Sequence, residues 1–241
     1  MFGKKNLVEF IDDFSQDEQY KDNIAFWHTI DEKKATYSPF PTELNEKLKS
    51  ALEKRGIEAL YSHQAEAYKY IRNKKNIVAV TPTASGKTLC YNLPILQSIL
   101  ENADTRALYL FPTKALSYDQ KSELEELIDA ADADINSYTY DGDTPTSIRQ
   151  KIRKAGHIVM TNPDMLHSGI LPHHTKWVSL FENLKYIVID ELHTYKGVFG
   201  SHTANVIRRL KRICRFYGSD PIFICTSATI ANPKELAEQL T

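Results

Sequence analysis

The sequence predicts an α/β protein: a mostly parallel sheet flanked by helices on both faces. Three observations carry this. Short β-rich runs recur from about Asn76 onward: Asn76 to Val80, Ala107 to Phe111, Ile135 to Tyr140, His157 to Thr161, Tyr186 to Ile189 and Ile222 to Thr226. The runs are apolar on both faces, as strands buried on both sides must be. The connections between them are long enough to hold a helix, which parallel neighbours require.

Upstream the pattern differs. Residues 1–60 are polar, charged and aromatic, and Ser38-Pro39-Phe40-Pro41 breaks any continuous helix, so this stretch reads as an N-terminal accessory helical segment. Within it, Thr42 is expected to cap a helix carrying Leu44, Leu48 and Leu52 at i, i+4 spacing and closed by Gly56. A second helix is expected to start at Ser62 and run through Tyr70 and Ile71. Residues 61–241 then form one α/β domain. Pro233 to Leu240 has the pattern of a helix in progress, from which a truncated larger protein is expected.

Composition excludes some classes and leaves others open. An apolar fraction of 42% over 241 residues supports a substantial core. The formal charge of −1 gives no global cationic field, so contact with a polyanion has to come from local patches. Cys90, Cys214 and Cys225 are far apart and form no C-x-x-C pair, which argues against a zinc module or a disulfide framework and for buried thiols in a reducing compartment. Lys4 and Lys5 alternate with Glu9, Asp12 and Asp13 and no long apolar stretch follows. The expectation is a cytoplasmic protein without a membrane partner.

The strongest local signal is Thr81-Pro82-Thr83-Ala84-Ser85-Gly86-Lys87-Thr88, lying between an apolar strand and a helical pattern with Leu89, Leu93 and Leu96. Backbone N–H groups from Ala84 to Thr88 would converge at a helix N-terminus, where unpaired donors and the helix dipole favour phosphate. In this arrangement Thr83, Ala84, Ser85, Gly86, Lys87 and Thr88 cradle a nucleoside triphosphate. Lys87 meets its β- and γ-phosphates and the Thr88 hydroxyl is suited to Mg²⁺. The general pattern has Gly where this chain has Thr81.

A second strand run, Leu184 to Ile189, ends in Asp190-Glu191-Leu192-His193, so two carboxylates stand at the carboxyl edge of the sheet, where open α/β sheets bind ligands. Asp190 is suited to hold Mg²⁺, and Glu191 to orient and polarise a water attacking the γ-phosphate. Lys87, Asp190 and Glu191 are the candidate catalytic residues. His193 is either a coupling residue or a plain loop histidine.

Together these residues resemble the motif series of superfamily 2 DExH-box helicases from about Tyr61 to Thr229. The resemblance implies a RecA-like P-loop NTPase lobe with ATP and Mg²⁺ as cofactors. Tyr61-Ser62-His63-Gln64 resembles the glutamine motif, in which Gln64 would read the adenine edge. Phe111-Pro112-Thr113-Lys114 resembles motif Ia, Asp141-Gly142-Asp143 a further strand-end loop, and Thr161-Asn162-Pro163-Asp164 motif Ib. Such loops grip a nucleic-acid backbone through hydroxyls, amides and helix N-termini. On this basis Pro112, Thr113, Lys114, Asp141, Gly142, Thr161, Asn162 and Pro163 are candidate nucleic-acid contacts.

Thr226-Ser227-Ala228-Thr229 resembles motif III, and makes Ser227 and Thr229, with His193, candidate coupling residues. The stretch from Asp190 to His202, with Arg208 to Cys214, is similar to the YprA-like or MrfA-like DNA-repair helicases. That similarity implies single-stranded DNA as partner, 3′ to 5′ movement, a second RecA-like lobe beyond residue 241 and an arginine supplied from it. A nucleotide-binding interaction module without turnover and an RNA helicase are the rival readings.

Two features remain open on the residues alone. Val206, Leu210, Ile213 and Tyr217 recur at helical spacing with Arg208, Lys211, Arg212 and Arg215 opposite, either as a solvated face or as a phosphate- or lobe-binding stripe. His173 and His174 lack nearby Cys or carboxylate partners for a metal, and Trp177 is either a packing or a strand-separating aromatic.

Overall fold

The computed structural model describes residues 6–28, 35–82 and 85–241, and the chain divides into two compact units, Met1–Ala35 and Thr36–Thr241. In the smaller unit, helix α1 (Leu7–Gln16) is closed by a reciprocal cap: Asn6 Oδ1 accepts from the Glu9 amide at 2.9 Å and Glu9 Oε2 from the Asn6 amide at 3.2 Å. A 3₁₀ turn, Lys21–Asn23, follows.

The larger unit begins at Thr36, ahead of the expected boundary after residue 60. The reason is packing: Leu44, Leu48, Ala51, Leu52 and Leu60 lie in its main core. Strands β1 (Tyr37–Ser38) and β2 (Leu60–Tyr61) pair antiparallel around helix α2 (Glu46–Lys54). The cap of α2 is Asn45, whose side chain accepts from the Lys47 amide at 2.9 Å, and not Thr42 as expected. A turn at Pro41, closed by the Leu44 amide donating to the Pro41 carbonyl, delays the helix by three residues. Gly56 ends it as expected, at φ +76° with its amide on the Glu53 carbonyl.

From Ser62 the chain alternates regularly: helix α3 (Ser62–Arg72), β3 (Ile77–Val80), α4 (Lys87–Glu101), β4 (Arg106–Leu110), α5 (Lys114–Ala130), β5 (Ser137–Thr139), α6 (Thr146–Ala155) and β6 (Ile158–Thr161). After the single turn α7 (Pro163–Met165) and α8 (Val178–Glu182) come β7 (Leu184–Ile189), α9 (Gly197–Phe216), β8 (Ile222–Ser227) and α10 (Pro233–Leu240). All six expected strands form. They make one sheet in the order β3-β8-β7-β4-β6-β5, with every pair parallel.

Period-2 alternation splits each strand between two cores. Ala107, Tyr109, Tyr186, Val188, Ile222 and Ile224 face the layer of α2 to α5. Leu108, Leu110, Ile187, Ile189, Phe223 and Cys225 face the layer that includes α8 and α9. Trp177 is fully buried in the second core, edge-on to Tyr140 at 4.8 Å between centroids, which resolves it as a packing residue. His174 Nδ1 meets the Tyr217 hydroxyl at 2.9 Å, and among the described residues no cluster of three metal-ligating side chains occurs. No helix among them is long and apolar enough to cross a membrane.

Candidate nucleotide site and nucleic-acid edge

Strand order, not chain order, assembles the site. β3, β8 and β7 are neighbours, so the loop after Val80, the Thr226-Ser227 strand end and the Asp190-Glu191 pair meet at one half of the carboxyl edge. β4, β6 and β5 supply the other half. A cavity of about 450 Å³ on the first half is lined by Ser85, Gly86, Lys87, Thr88, Gln120, Asp190 and Glu191, among others.

Gly86 opens α4 at φ +71°, so the backbone favours glycine there, and a Cβ would stand 2.7 Å from Gln64 Nε2 and displace that side-chain amide. Thr81, the departure from the usual phosphate-loop pattern, closes the loop base: its hydroxyl lies 2.5 Å from that of Ser85. Lys87 Nζ donates to the carbonyls of Thr81 and Pro82, each at 3.3 Å, which holds the ammonium at the loop mouth. Thr83 and Ala84, two of the expected phosphate contacts, lie outside the described residues. The Thr88 hydroxyl donates to Gln120 Oε1 at 3.0 Å, where the Tyr91 hydroxyl also donates at 3.2 Å. Gln120 was invisible to motif reading because it sits on α5, one strand and one helix away.

Gln64, expected to read the adenine edge, is already engaged within the chain. Its Oε1 accepts from the Tyr61 amide at 2.9 Å and its Nε2 donates to the Gly86 carbonyl at 2.8 Å, so it braces the phosphate loop and keeps one N–H and one lone pair in reserve. It still lines a second cavity, about 560 Å³, with Tyr37, Ile57, Tyr61 and Leu89. Tyr37 and Tyr61 stack there at 5.2 Å.

Asp190 is 7% exposed, and its Oδ1 accepts from the Thr226 hydroxyl and, at 3.0 Å, from the Glu191 amide. Burial pushes its carboxyl above the ordinary aspartate value, with the Thr226 hydrogen bond opposing and the Glu191 charge adding. Thr226, part of the motif III resemblance but not one of the candidate coupling residues, is the group whose strand-end place beside β7 brings it onto Asp190. Glu191 adopts φ +53°, a strained left-handed conformation for a non-glycine residue, and its Oε2 lies 3.2 Å from His193 Nδ1. The same ring nitrogen lies 3.4 Å from the Ala228 amide. Ser227 Oγ is buried and has no hydrogen-bond partner among the described residues, and Thr229 is exposed.

A buried carboxyl raised in this way destabilises the chain when ionised. The folded state holds its proton more tightly than the unfolded chain does, so the penalty is present at neutral pH and vanishes as pH falls through the folded-state pKa. Asp190→Asn is therefore expected to stabilise this chain at pH 7, seen as a higher Tm than wild type. Thermal melts from pH 7 down to pH 4 should show the gain closing; a lower Tm at pH 7 would refute the assignment of burial as the dominant cause.

Behind the carboxylates, α9 approaches Tyr195 so closely that a Cβ on Gly200 would stand 2.4 Å from the Tyr195 carbonyl oxygen. Tyr195 is buried and stacks on Phe199 at 5.3 Å. Gly200→Ala is expected to cost about 1–3 kcal/mol by forcing backbone against helix; denaturant midpoints measure it, and an unchanged midpoint would show that the helix can yield.

On the other half of the edge, Thr113 caps α5 and Asn162 caps α7, its Oδ1 accepting from the Met165 amide at 2.8 Å. Two expected contacts require correction as side-chain donors or acceptors. Thr161 is buried and its hydroxyl donates to the Tyr140 carbonyl at 2.7 Å. Asp141 is 3% exposed, and its carboxylate turns inward to accept from the Asp143 amide, the Thr144 hydroxyl and the Tyr118 hydroxyl. Both build their loops from within: Thr161 reaches the end of the neighbouring strand, and Asp141 its own loop and α5. Pro112, Lys114 and Gly142 stay at the surface, and Pro163 is buried.

The phosphate loop, the carboxylate pair and the six-stranded order coincide with a known family: the model of the DEAD/DEAH box helicase matches residues 61–236. The chain belongs to the DEAD/DEAH box helicases. Within the family it is 69% identical over 238 residues to the ATP-dependent helicase YprA of Bacillus subtilis, covering 99% of this chain and 31% of the relative. The ATP-dependent helicase hrq1 of Schizosaccharomyces pombe is 39% identical over 234 residues, 95% of this chain and 22% of the relative. A crystal structure of the DUF1998 helicase MrfA bound to DNA and AMPPNP superposes with a TM-score of 0.94 at 69% identity, covering 98% of this chain and 33% of that one. This helicase lobe thus spans about a third or less of the length of these relatives, and its fold is the first RecA-like lobe of superfamily 2.

Proposed function

We propose that this chain is the first, ATP-binding lobe of an ATP-dependent DNA helicase that binds and hydrolyses MgATP to move on single-stranded DNA, in DNA repair. The observation that carries the reading is the single cavity shared by Lys87, Thr88, Asp190 and Glu191, contributed by two separate loops. A lysine, a hydroxyl and two carboxylates at one helix N-terminus match the needs of phosphoryl transfer. The names of YprA and hrq1, and the DNA and AMPPNP bound by MrfA, support the substrate class.

The donor set fits Mg²⁺. Asp190 is a buried carboxyl whose ionisation needs a cation nearby, and the Thr88 hydroxyl supplies a second hard oxygen in the same cavity. When bound, the ion neutralises charge on the β- and γ-phosphate oxygens. The residues of the chain do the rest: Lys87 and the loop amides orient the triphosphate, and Glu191 orients the attacking water and takes up its proton. The cavity beside Gly86, with Tyr37, Tyr61 and the remaining N–H of Gln64, has the apolar walls and polar rim that an adenine needs. His193, whose Nδ1 can either donate to Glu191 or accept from the Ala228 amide, and the Ser227 and Thr229 hydroxyls are suited to pass the state of the nucleotide to the other half of the edge.

There the loops of Pro112, Thr113 and Lys114, of Gly142, and of Asn162 are the proposed grip on the DNA backbone, through helix N-termini and amides that give position without sequence readout, while the expected contact Pro163, buried and without an N–H, is withdrawn. A second RecA-like lobe in the longer protein completes the nucleotide site with an arginine. Three buried free cysteines agree with a cytoplasmic location. The test is ATP turnover by the longer protein with and without single-stranded DNA. DNA stimulation supports the reading; equal or greater stimulation by single-stranded RNA would overturn DNA as the substrate.

A further inference from the structure

The loop after β5 is held from the inside by Asp141 and from the outside by a residue with no assigned role, Arg149 in the first turn of α6. Its Nε donates to the Thr144 carbonyl at 2.8 Å, and its Nη2 to the carbonyls of Asp141 at 3.1 Å and Gly142 at 3.2 Å. The guanidinium also lies 5.2 Å from the Tyr140 ring centroid. Three carbonyl oxygens of one short loop therefore end on one cation.

The consequence is electrostatic. Carbonyl oxygens carry partial negative charge and repel phosphate; a guanidinium that gathers three of them removes this repulsion and sets a positive charge behind the loop. Gly142 is exposed, and its amide makes no hydrogen bond among the described residues, whereas the Asp141, Asp143 and Thr144 amides are all paired within the loop. A Cβ on Gly142 would stand 3.8 Å from Lys114 Nζ, and Lys114 itself reaches across from α5 to Asp143 at 2.6 Å. The Lys114 ammonium, from a different strand end, thus stands beside Gly142 while paired with Asp143.

We infer that Arg149 is a positioning residue for nucleic-acid binding: it holds the Asp141–Thr144 loop in the shape that presents the Gly142 amide and Lys114 to the same backbone phosphate. The inference rests on the reading of this edge as the DNA surface. Lysine is no substitute, since a point charge cannot fork to three carbonyls.

The test titrates ATP turnover of the full-length protein with oligo(dT), comparing wild type with Arg149→Ala, Arg149→Lys and Lys114→Ala. Arg149→Ala is expected to raise the half-activating oligo(dT) concentration about tenfold, with DNA-saturated turnover kept within about twofold, and Arg149→Lys to recover only part. An unchanged half-activating concentration overturns the inference, as does a parallel fall of saturated turnover and Tm, the mark of a merely structural arginine. Lys114→Ala separates the two levels. If it leaves the half-activating concentration unchanged, the DNA reading of this edge fails and the inference with it; if it raises that concentration while Arg149→Ala does not, only the role of Arg149 falls.

Discussion

Glu191→Gln in the longer protein is expected to cut ATP turnover by about 10²–10⁴-fold, the usual contribution of a positioned general base, while ATP affinity stays within a few-fold. Glu191 and Lys87 line the same cavity, and on the proposed reading it is Lys87, not Glu191, that would grip phosphate. Glutamine keeps the size and an oxygen that can face His193 Nδ1, and loses the charge and the ability to take a proton. Its strained left-handed backbone, φ +53°, is the kind of cost a fold retains where geometry is needed for chemistry. Single-turnover hydrolysis and equilibrium nucleotide binding, measured on the same preparation, decide the matter. Turnover near wild type would move the base elsewhere; loss of binding would make Glu191 a ligand instead.

Lys87→Ala is expected to weaken ATP binding by about 10–150-fold, which is the loss of one charge-assisted contact of about 1.5–3 kcal/mol. The effect should fall with the number of phosphates, so that AMP binds both proteins nearly alike. Lys87 now spends its ammonium on the Thr81 and Pro82 carbonyls at 3.3 Å, weak contacts that a triphosphate can replace without leaving a charge unpaired. Calorimetric titration with ATP, ADP and AMP measures the gradient. Equal losses for all three nucleotides would point to collapse of the loop, and no loss for ATP would remove the phosphate loop from the proposal.

Much of the molecule is legible in the sequence because the signals are local. A buried parallel strand has to be apolar on both faces, so Tyr186 to Ile189 and Ile222 to Thr226 announce themselves; Gly86 is favoured by a positive φ and a close neighbour. Errors cluster where a nearby turn competes. The Pro41 turn moved the cap of α2 from Thr42 to Asn45, and packing of Leu44 to Leu60 into the main core carried the boundary of the compact unit back to Thr36. Polar residues were the hardest to place. Asp141 and Thr161 look like surface contacts by type and motif, yet their side chains turn inward to build the loops they stand in.

By itself the sequence determined that this chain is a βα-repeating protein with a phosphate loop at Gly86-Lys87-Thr88 and a carboxylate pair at Asp190-Glu191, because each of those features is written within a few consecutive residues. Only the tertiary structure decided which of them meet. The order β3-β8-β7-β4-β6-β5 brings Val80, Asp190 and Thr226 to one half of an edge and Lys114, Asn162 and Gly142 to the other. It also recruits Gln120 to Thr88, Thr226 to Asp190 and Arg149 to three carbonyls. The reason is physical: strand order is set by how the two helical layers bury their apolar faces on the sheet, an energy summed over the whole core, and no short stretch of chain carries it.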